Sequence, residues 1–122
     1  MKTMAKAGLA LLVAALFASA LRGGSGDKTA DLPALIKNGA LLIDVRSAGE
    51  FQSGHAKGAI NIPHDSIDRV VHQHAPEKER AIIVYCRSGN RSSAAKNSLA
   101  RIGYTNVVNG GTLGNVKNAL EK

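Results

Sequence analysis

Ala81-Ile82-Ile83-Val84-Tyr85, followed at once by Cys86-Arg87-Ser88-Gly89-Asn90-Arg91, is the stretch that decides the fold. Five apolar residues in a row, with no polar alternation, describe a strand buried on both faces rather than one lying on a half-wet sheet. The six residues after it are polar and contain a glycine. From Ser92 to Ile102 the pattern changes to helical spacing, with Ala95, Leu99 and Ile102 on one side and Gly103 as the stop. A buried strand running through a short loop into a helix is half of a βαβ unit. Its partners should be parallel strands.

Outward from this segment the same alternation repeats. Ala40–Val45 and Ala59–Ile62 are further short apolar runs, the second stopped by Pro63, and Asn106–Val108 is a last strand. Between and around them lie Ala30–Lys37, Ala48–Ser53, Ser66–His74 and the residues after Gly110-Gly111, each with helical spacing or helix-stop signals. The expected class is therefore α/β, a parallel sheet of four to five strands with helices on both faces. In such sheets ligands gather at the carboxyl ends of the strands. Cys86 sits at one of those ends.

Each residue type in the loop has a physical use there. A thiolate is a nucleophile, and its formation is favoured at a helix N-terminus and beside guanidinium groups. Gly89 permits a tight turn in which successive N–H groups point inward as an anion cradle. Asn90 also tolerates unusual backbone angles. Arg87 and Arg91 can neutralise an anionic substrate, and Ser92 offers a hydroxyl for the helix cap or for a bound group. A lone cysteine can equally be a buried filler or an intermolecular pairing site. Two cations within five positions of the thiol favour the reactive reading.

Composition narrows the options. The 122-residue chain has room for one domain, and 44% hydrophobic content supplies a core. With one cysteine it forms neither an internal disulfide nor a cysteine-rich metal knuckle. His72 and His74 are two apart and diverge on a helix, so no metal is expected. The formal net charge is +7, yet two Tyr, two Phe and no run of basic residues argue against nucleic acid. A small anionic substrate suits the charge better.

Residues 1–20 read as a signal peptide. Lys2 and Lys6 precede an apolar run from Ala7 to Ala18, and Ala18-Ser19-Ala20 provides the small residues of a cleavage site near Ala20. The run is shorter than the roughly 20 residues of a spanning helix. The expected location is thus periplasmic or secreted, with no stable membrane insertion after cleavage. Losing Lys2 and Lys6 would lower the net charge by two. Residues 21–28, with Gly23-Gly24-Ser25-Gly26, read as a flexible lead-in, and 29–122 as the folded domain.

The Cys86–Arg91 loop resembles the active-site loop of single-domain rhodaneses. So do Asp44-Val45-Arg46, Glu50-Phe51, Gly54-His55, Gly58-Ala59 and Asn61-Ile62-Pro63 upstream, and Gly103-Tyr104, Asn106-Val107 and Gly110-Gly111 downstream. With the N-terminal segment added, the chain is similar to the small periplasmic phage-shock members of that family. The Trp that often follows the paired glycines is absent, and Leu113 stands nearby.

The resemblance implies a rhodanese-like domain and a thiosulfate sulfurtransferase without a bound cofactor, working through a covalent Cys86 persulfide. Arg87, Ser88, Gly89, Asn90, Arg91 and Ser92 would bind the substrate. A small anionic sulfur donor and a thiophilic acceptor such as cyanide or a thiol would be the partners, and the chain would be a monomer or weak dimer. Asp44, Arg46, Glu50 and His55 are expected as structural support, with Arg46 able to reach the Glu50 carboxylate four residues on. Two other readings compete: a non-catalytic persulfide carrier or stress-response binding module, and a cysteine phosphatase. The phosphatase loop needs five residues between Cys and Arg, whereas four stand here.

Overall fold

The computed structural model describes residues 26–122. The expected signal peptide, its cleavage site and most of the lead-in lie outside the described residues. Within them the order is α1 (Leu32–Lys37), β1 (Leu41–Asp44), α2 (Ala48–Ser53), β2 (Ile60–Asn61) and α3 (Ile67–Val70). A 3-10 turn (Val71–Gln73) follows, then β3 (Ile82–Cys86), α4 (Asn90–Arg101), β4 (Val107–Thr112) and α5 (Leu113–Leu120). The four strands form one parallel sheet in the order β2-β1-β3-β4.

Continuous apolar runs form these strands because both sheet faces are covered. Ile82, Val84 and Cys86 point into one apolar layer with Ile43, Val45, Ile67, Val71, Ala95, Leu99 and Tyr104, under α3 and α4. Ile83 and Tyr85 point the other way, into Leu32, Leu42, Ala56, Val116 and Ala119, under α1 and α5. The period-2 geometry of the strand thus sorts a uniform sequence into two cores. The Tyr85 side chain is fully buried, and its hydroxyl accepts the Ala56 N–H at 3.0 Å. Burial pushes the phenol above its ordinary pKa.

Three boundaries differ from the sequence reading. The segment Ser66–His74 is not one helix: it gives one α-helical turn and then tightens to 3-10 geometry before Pro76. Helix α4 begins at Asn90 rather than Ser92, because Gly89 adopts φ 95° and turns the chain directly into the helix. Strand β4 runs through the glycine pair instead of stopping at Val108. A register shift places Val84 opposite Asn109 but Tyr85 opposite Gly111, so Gly110 is the extra residue of a bulge. A Cβ at Gly110 would stand 2.9 Å from Ile83 Cγ2 and 3.0 Å from Val116 Cγ2, and only a glycine fits between the layers.

The last residues of the expected lead-in are held against the domain. Asp27 donates its N–H to Asn109 O at 2.8 Å, and its carboxylate accepts Asn109 N–H at 2.9 Å and Lys96 Nζ at 2.7 Å. These contacts sit on the free edge of β4.

Candidate active site

Cys86 is the last residue of β3 and is fully buried, with its Sγ beneath the loop that leads to α4. The left-handed turn at Gly89 reverses the chain so that its own N–H points back at Sγ, 3.0 Å away. The Ser92 N–H, in the first turn of α4, approaches the same sulfur at 3.4 Å, and the Ser92 hydroxyl lies 3.4 Å from it. A sulfur surrounded by inward N–H groups is a site built for an anion.

The electrostatics follow from these contacts. Burial alone pushes the Cys86 thiol up. The Ser92 hydroxyl, with the backbone N–H groups of Ser92, Gly89 and Ser88, more than reverses this, and the thiol ends below its ordinary value. Hydrogen bonds are the larger influence that favours the thiolate, and the charge of Arg91 couples to the sulfur as well.

The arginines divide their work. Arg91 donates to Glu50 through two bonds, Nη1 to Oε1 at 2.7 Å and Nη2 to Oε2 at 3.0 Å. Glu50 also closes the capping box of α2, accepting the Ser47 N–H at 3.1 Å and the Ser47 hydroxyl at 3.0 Å. Arg91, then the Ser47 N–H and hydroxyl, hold its carboxyl well below the usual carboxylate range. The expected Arg46–Glu50 contact does not form. Arg46 instead folds back on Asp44, with Nε 2.9 Å from Oδ1 and Nη2 2.6 Å from Oδ2, because the turn after β1 brings positions 44 and 46 together. Its remaining reach goes to Gly54 O at 2.7 Å. Asp44 and Arg46 are both buried, and the pair ties the end of β1 to the end of α2 at Gly54.

Arg87 is exposed and belongs to no ion pair or side-chain hydrogen bond among the described residues. It lines an open cleft of about 340 Å³ with Arg46, Glu50, Ser53, Thr112, Leu113 and Gly114. Thr112 is the register partner of Cys86, which places the cleft at the carboxyl ends of β3 and β4. A larger groove of about 600 Å³ lies around Asp27, Pro33 and α5, and no thiol lines it. Cys86 lines neither hollow; the smaller one lies beside Arg87, the next residue in the chain, and Thr112, the register partner of Cys86.

The remaining expected residues fall at varied distances from the thiol. Ser88 is exposed, and its hydroxyl accepts the Asn90 N–H at 3.4 Å. The Asn90 side chain is exposed at the start of α4 and makes no hydrogen bond among the described residues. His55 stacks on Phe51 with ring centroids 3.6 Å apart and bonds Phe51 O through Nδ1 at 2.8 Å, a structural contact.

Two contributors were missed from sequence. The pattern Ser47-x-x-Glu50 is a capping box and was legible as one. Asn109, a buried polar residue in an apolar strand, reaches the loop through Ser92 and Gly89. Its only sequence signal is its place just before Gly110-Gly111.

Residues 28–113, most of the chain, match the rhodanese-like domain. The chain belongs to the rhodanese family. Over 71 residues it is 41% identical to thiosulfate sulfurtransferase PspE of Escherichia coli (strain K12), covering 58% of this chain and 68% of that protein. A solved structure titled as a rhodanese with anions from E. coli superposes with TM-score 0.61 at 38% identity, covering 62% of this chain and 89% of the other. The human single-domain sulfurtransferase TSTD1 gives TM-score 0.61 at 30% identity, over 75% and 91% of the two chains. Within this rhodanese, the described residues include no helix long and apolar enough to cross a membrane.

Proposed function

We propose that this rhodanese is a sulfurtransferase that carries sulfane sulfur as a Cys86 persulfide, with thiosulfate or a related anion as donor. One observation carries the reading: the Cys86 sulfur lies in a ring of inward N–H groups at 3.0 and 3.4 Å. The ring stabilises an anionic sulfur whether it is a thiolate or the outer atom of a persulfide. It encloses one sulfur closely, which suits sulfur transfer better than the tetrahedral phosphate of a cysteine phosphatase.

In the first step the Cys86 thiolate attacks the outer sulfur of the donor. A new S–S bond forms, the donor's own S–S bond breaks, and sulfite departs with that electron pair. In the second, cyanide or a thiolate acceptor attacks the outer sulfur of the persulfide, and the bonding pair returns to Cys86 as thiolate. The sequence is ping-pong. No cofactor is required. Arg87, on the open cleft, meets the donor anion, while Arg91 and Glu50 fix the far end of the loop. A monomer suffices, since every group invoked comes from one chain. The N-terminal pattern of residues 1–20 supports export to the periplasm, with the folded domain working after cleavage near Ala20.

The test is intact mass after thiosulfate alone, beside thiosulfate:cyanide turnover, for the wild-type chain and Cys86→Ser. A gain of about 32 Da, removed by cyanide and absent in the variant, is the expected covalent intermediate. Loading without turnover would support the carrier reading. Neither mass gain nor thiocyanate from a folded protein with a titratable thiol would overturn the thiosulfate assignment. Fractionation of expressing cells tests export, with loss of residues 1–20 in the processed mass as its signature.

A further inference from the structure

Ser92 has one hydroxyl proton and three acceptors within reach. Asn109 Oδ1 is 2.7 Å away, Gly89 O is 3.1 Å away, and Cys86 Sγ is 3.4 Å away. The orientation of the Asn109 amide is fixed by its other contacts. Gly111 N–H can only donate, and it meets Oδ1 at 2.9 Å. Gly89 O can only accept, and it meets Nδ2 at 3.3 Å. Asn109 therefore presents its oxygen to Ser92, and at the shortest of the three distances it takes the hydroxyl proton.

This arrangement holds for a neutral thiol. Once the sulfur is anionic, it is the strongest acceptor in the site, because a charged acceptor roughly doubles the worth of a hydrogen bond. A rotation about the Ser92 Cβ–Oγ bond turns the same O–H to the sulfur, and no proton changes owner. Asn109 Oδ1 is not stranded when this happens, since it keeps the Gly111 N–H. Asn109 itself is buried and fixed from behind, its backbone clasped by Asp27.

We propose that Asn109 is a tuning residue of the site: it engages the Ser92 hydroxyl while Cys86 is a thiol and releases it to the sulfur when Cys86 is a thiolate or persulfide. The role rests on the sulfurtransferase reading only for its purpose, since the geometry concerns the thiol itself. Ionising the sulfur then costs the Ser92–Asn109 bond, so Asn109 restrains the free thiol from full ionisation. The charged groups around the loop are Arg87, the Arg91–Glu50 and Arg46–Asp44 pairs, and the Lys96–Asp27 pair behind Asn109. They are common to every variant below, and Asn109→Asp adds one negative charge to them.

The experiment is the pH dependence of Cys86 alkylation by iodoacetamide in the full-length chain, with folding checked by circular dichroism. Asn109→Leu keeps the branched shape and removes the acceptor, and its alkylation midpoint should fall by about half to one pH unit. Asn109→Asp still accepts from the Ser92 hydroxyl and the Gly111 N–H, loses the N–H given to Gly89 O and adds a negative charge; its midpoint should rise, and by less in a Ser92→Ala background. A direct charge effect of Asn109→Asp would survive Ser92→Ala in full, whereas an effect carried by the hydroxyl would not. In a Ser92→Ala background the Asn109→Leu shift should vanish, since the effect travels through the hydroxyl. A folded Asn109→Leu protein with an unmoved or raised midpoint overturns the proposal, as does a shift that survives Ser92→Ala. If Asn109→Leu does not fold, an unmoved or lowered midpoint in Asn109→Asp overturns it as well, as does a rise that survives Ser92→Ala in full. Alkylation needs no sulfur donor, so a wild-type chain that makes no thiocyanate would remove the sulfurtransferase reading and leave this one standing.

Discussion

Arg91 on α4 grips Glu50 on α2 through two parallel bonds of 2.7 and 3.0 Å across a sequence separation of 41. The ion pair joins the loop around the thiol to the turn after β1. It also engages a cation that the sequence alone would have offered to the substrate. Glu50 carries this bond and the α2 cap together, so its charge state matters to both.

The consequence is a pH-dependent stability. Held by Arg91 and then by Ser47, the folded Glu50 carboxyl lies below its unfolded value of about 4.3. A lowered folded pKa means that the unfolded chain takes up the proton first as pH falls. The stabilisation is therefore complete above the unfolded value and is lost on going down towards the folded one. Urea midpoints of wild type and Glu50→Gln should differ by a constant amount from about pH 5 to 7 and begin to converge below about pH 4, the gap closing progressively with further acid. Parallel curves down to pH 2 would contradict the role given to this carboxylate.

Gly89 is the residue on which the anion ring turns. At φ 95° and ψ −10° its backbone favours glycine, and a side chain there costs about 1–2 kcal/mol. Relief of that strain would swing the N–H now 3.0 Å from Sγ out of line. Gly89→Ala should lower sulfurtransferase kcat by about a hundredfold to a thousandfold, as losing a preorganised donor does. It should also raise the alkylation midpoint of Cys86. Unchanged turnover in a folded variant would remove the ring from the mechanism.

How far the sequence could be read depends on what each residue's partners were. Ala81–Tyr85 announces a buried strand because every position is apolar, and the loop announces itself by following it. Helix α4 could not be started correctly from apolar spacing alone, since Asn90 and Arg91 are polar and only the turn at Gly89 makes them helical. Strand β4 was cut short because Gly110-Gly111 reads as a break, whereas the bulge keeps it paired to Tyr85 and Cys86. Arg46 has two carboxylates at short sequence separation, Asp44 and Glu50. Spacing cannot choose between them until the bend after β1 is known. Asn109 reaches the site only through tertiary pairing, because it lies 17 residues beyond Ser92.

The same bulge supplies a stability test remote from the chemistry. Gly110 lies between Ile83 of β3 and Val116 of α5, both fully buried. The added methyl of Gly110→Ala must displace one of two packed β-branched side chains. Overpacking of this kind typically costs 1–3 kcal/mol. For a domain of this size the melting temperature should fall by roughly 4–8 °C per kcal/mol. Loss of stability at low temperature with a normal thiol profile is the expected pattern; full wild-type stability would show that the layers yield at that point.

Arg87 is the clearest separation of binding from chemistry. Of the three arginines near the loop, Arg46 is engaged by Asp44 and Arg91 by Glu50, while Arg87 stands exposed on the cleft wall with no carboxylate partner among the described residues. Arg87 directly follows Cys86 in the chain, and an anionic donor entering this cleft meets its charge. The Cys86 thiol owes its acidity to the Ser92 hydroxyl and to backbone N–H groups, so removing Arg87 should leave the alkylation profile in place. Arg87→Gln should raise KM for thiosulfate about three- to tenfold with a smaller change in kcat, the mark of lost substrate binding. The wild-type KM should itself rise with ionic strength, since an exposed charge is screened over about 10 Å at 0.1 M salt, and the variant should lose most of that dependence. If instead kcat falls with KM unchanged, Arg87 acts in the transition state. The cleft's free cation would then belong to sulfur transfer itself, stabilising the charge that builds on departing sulfite.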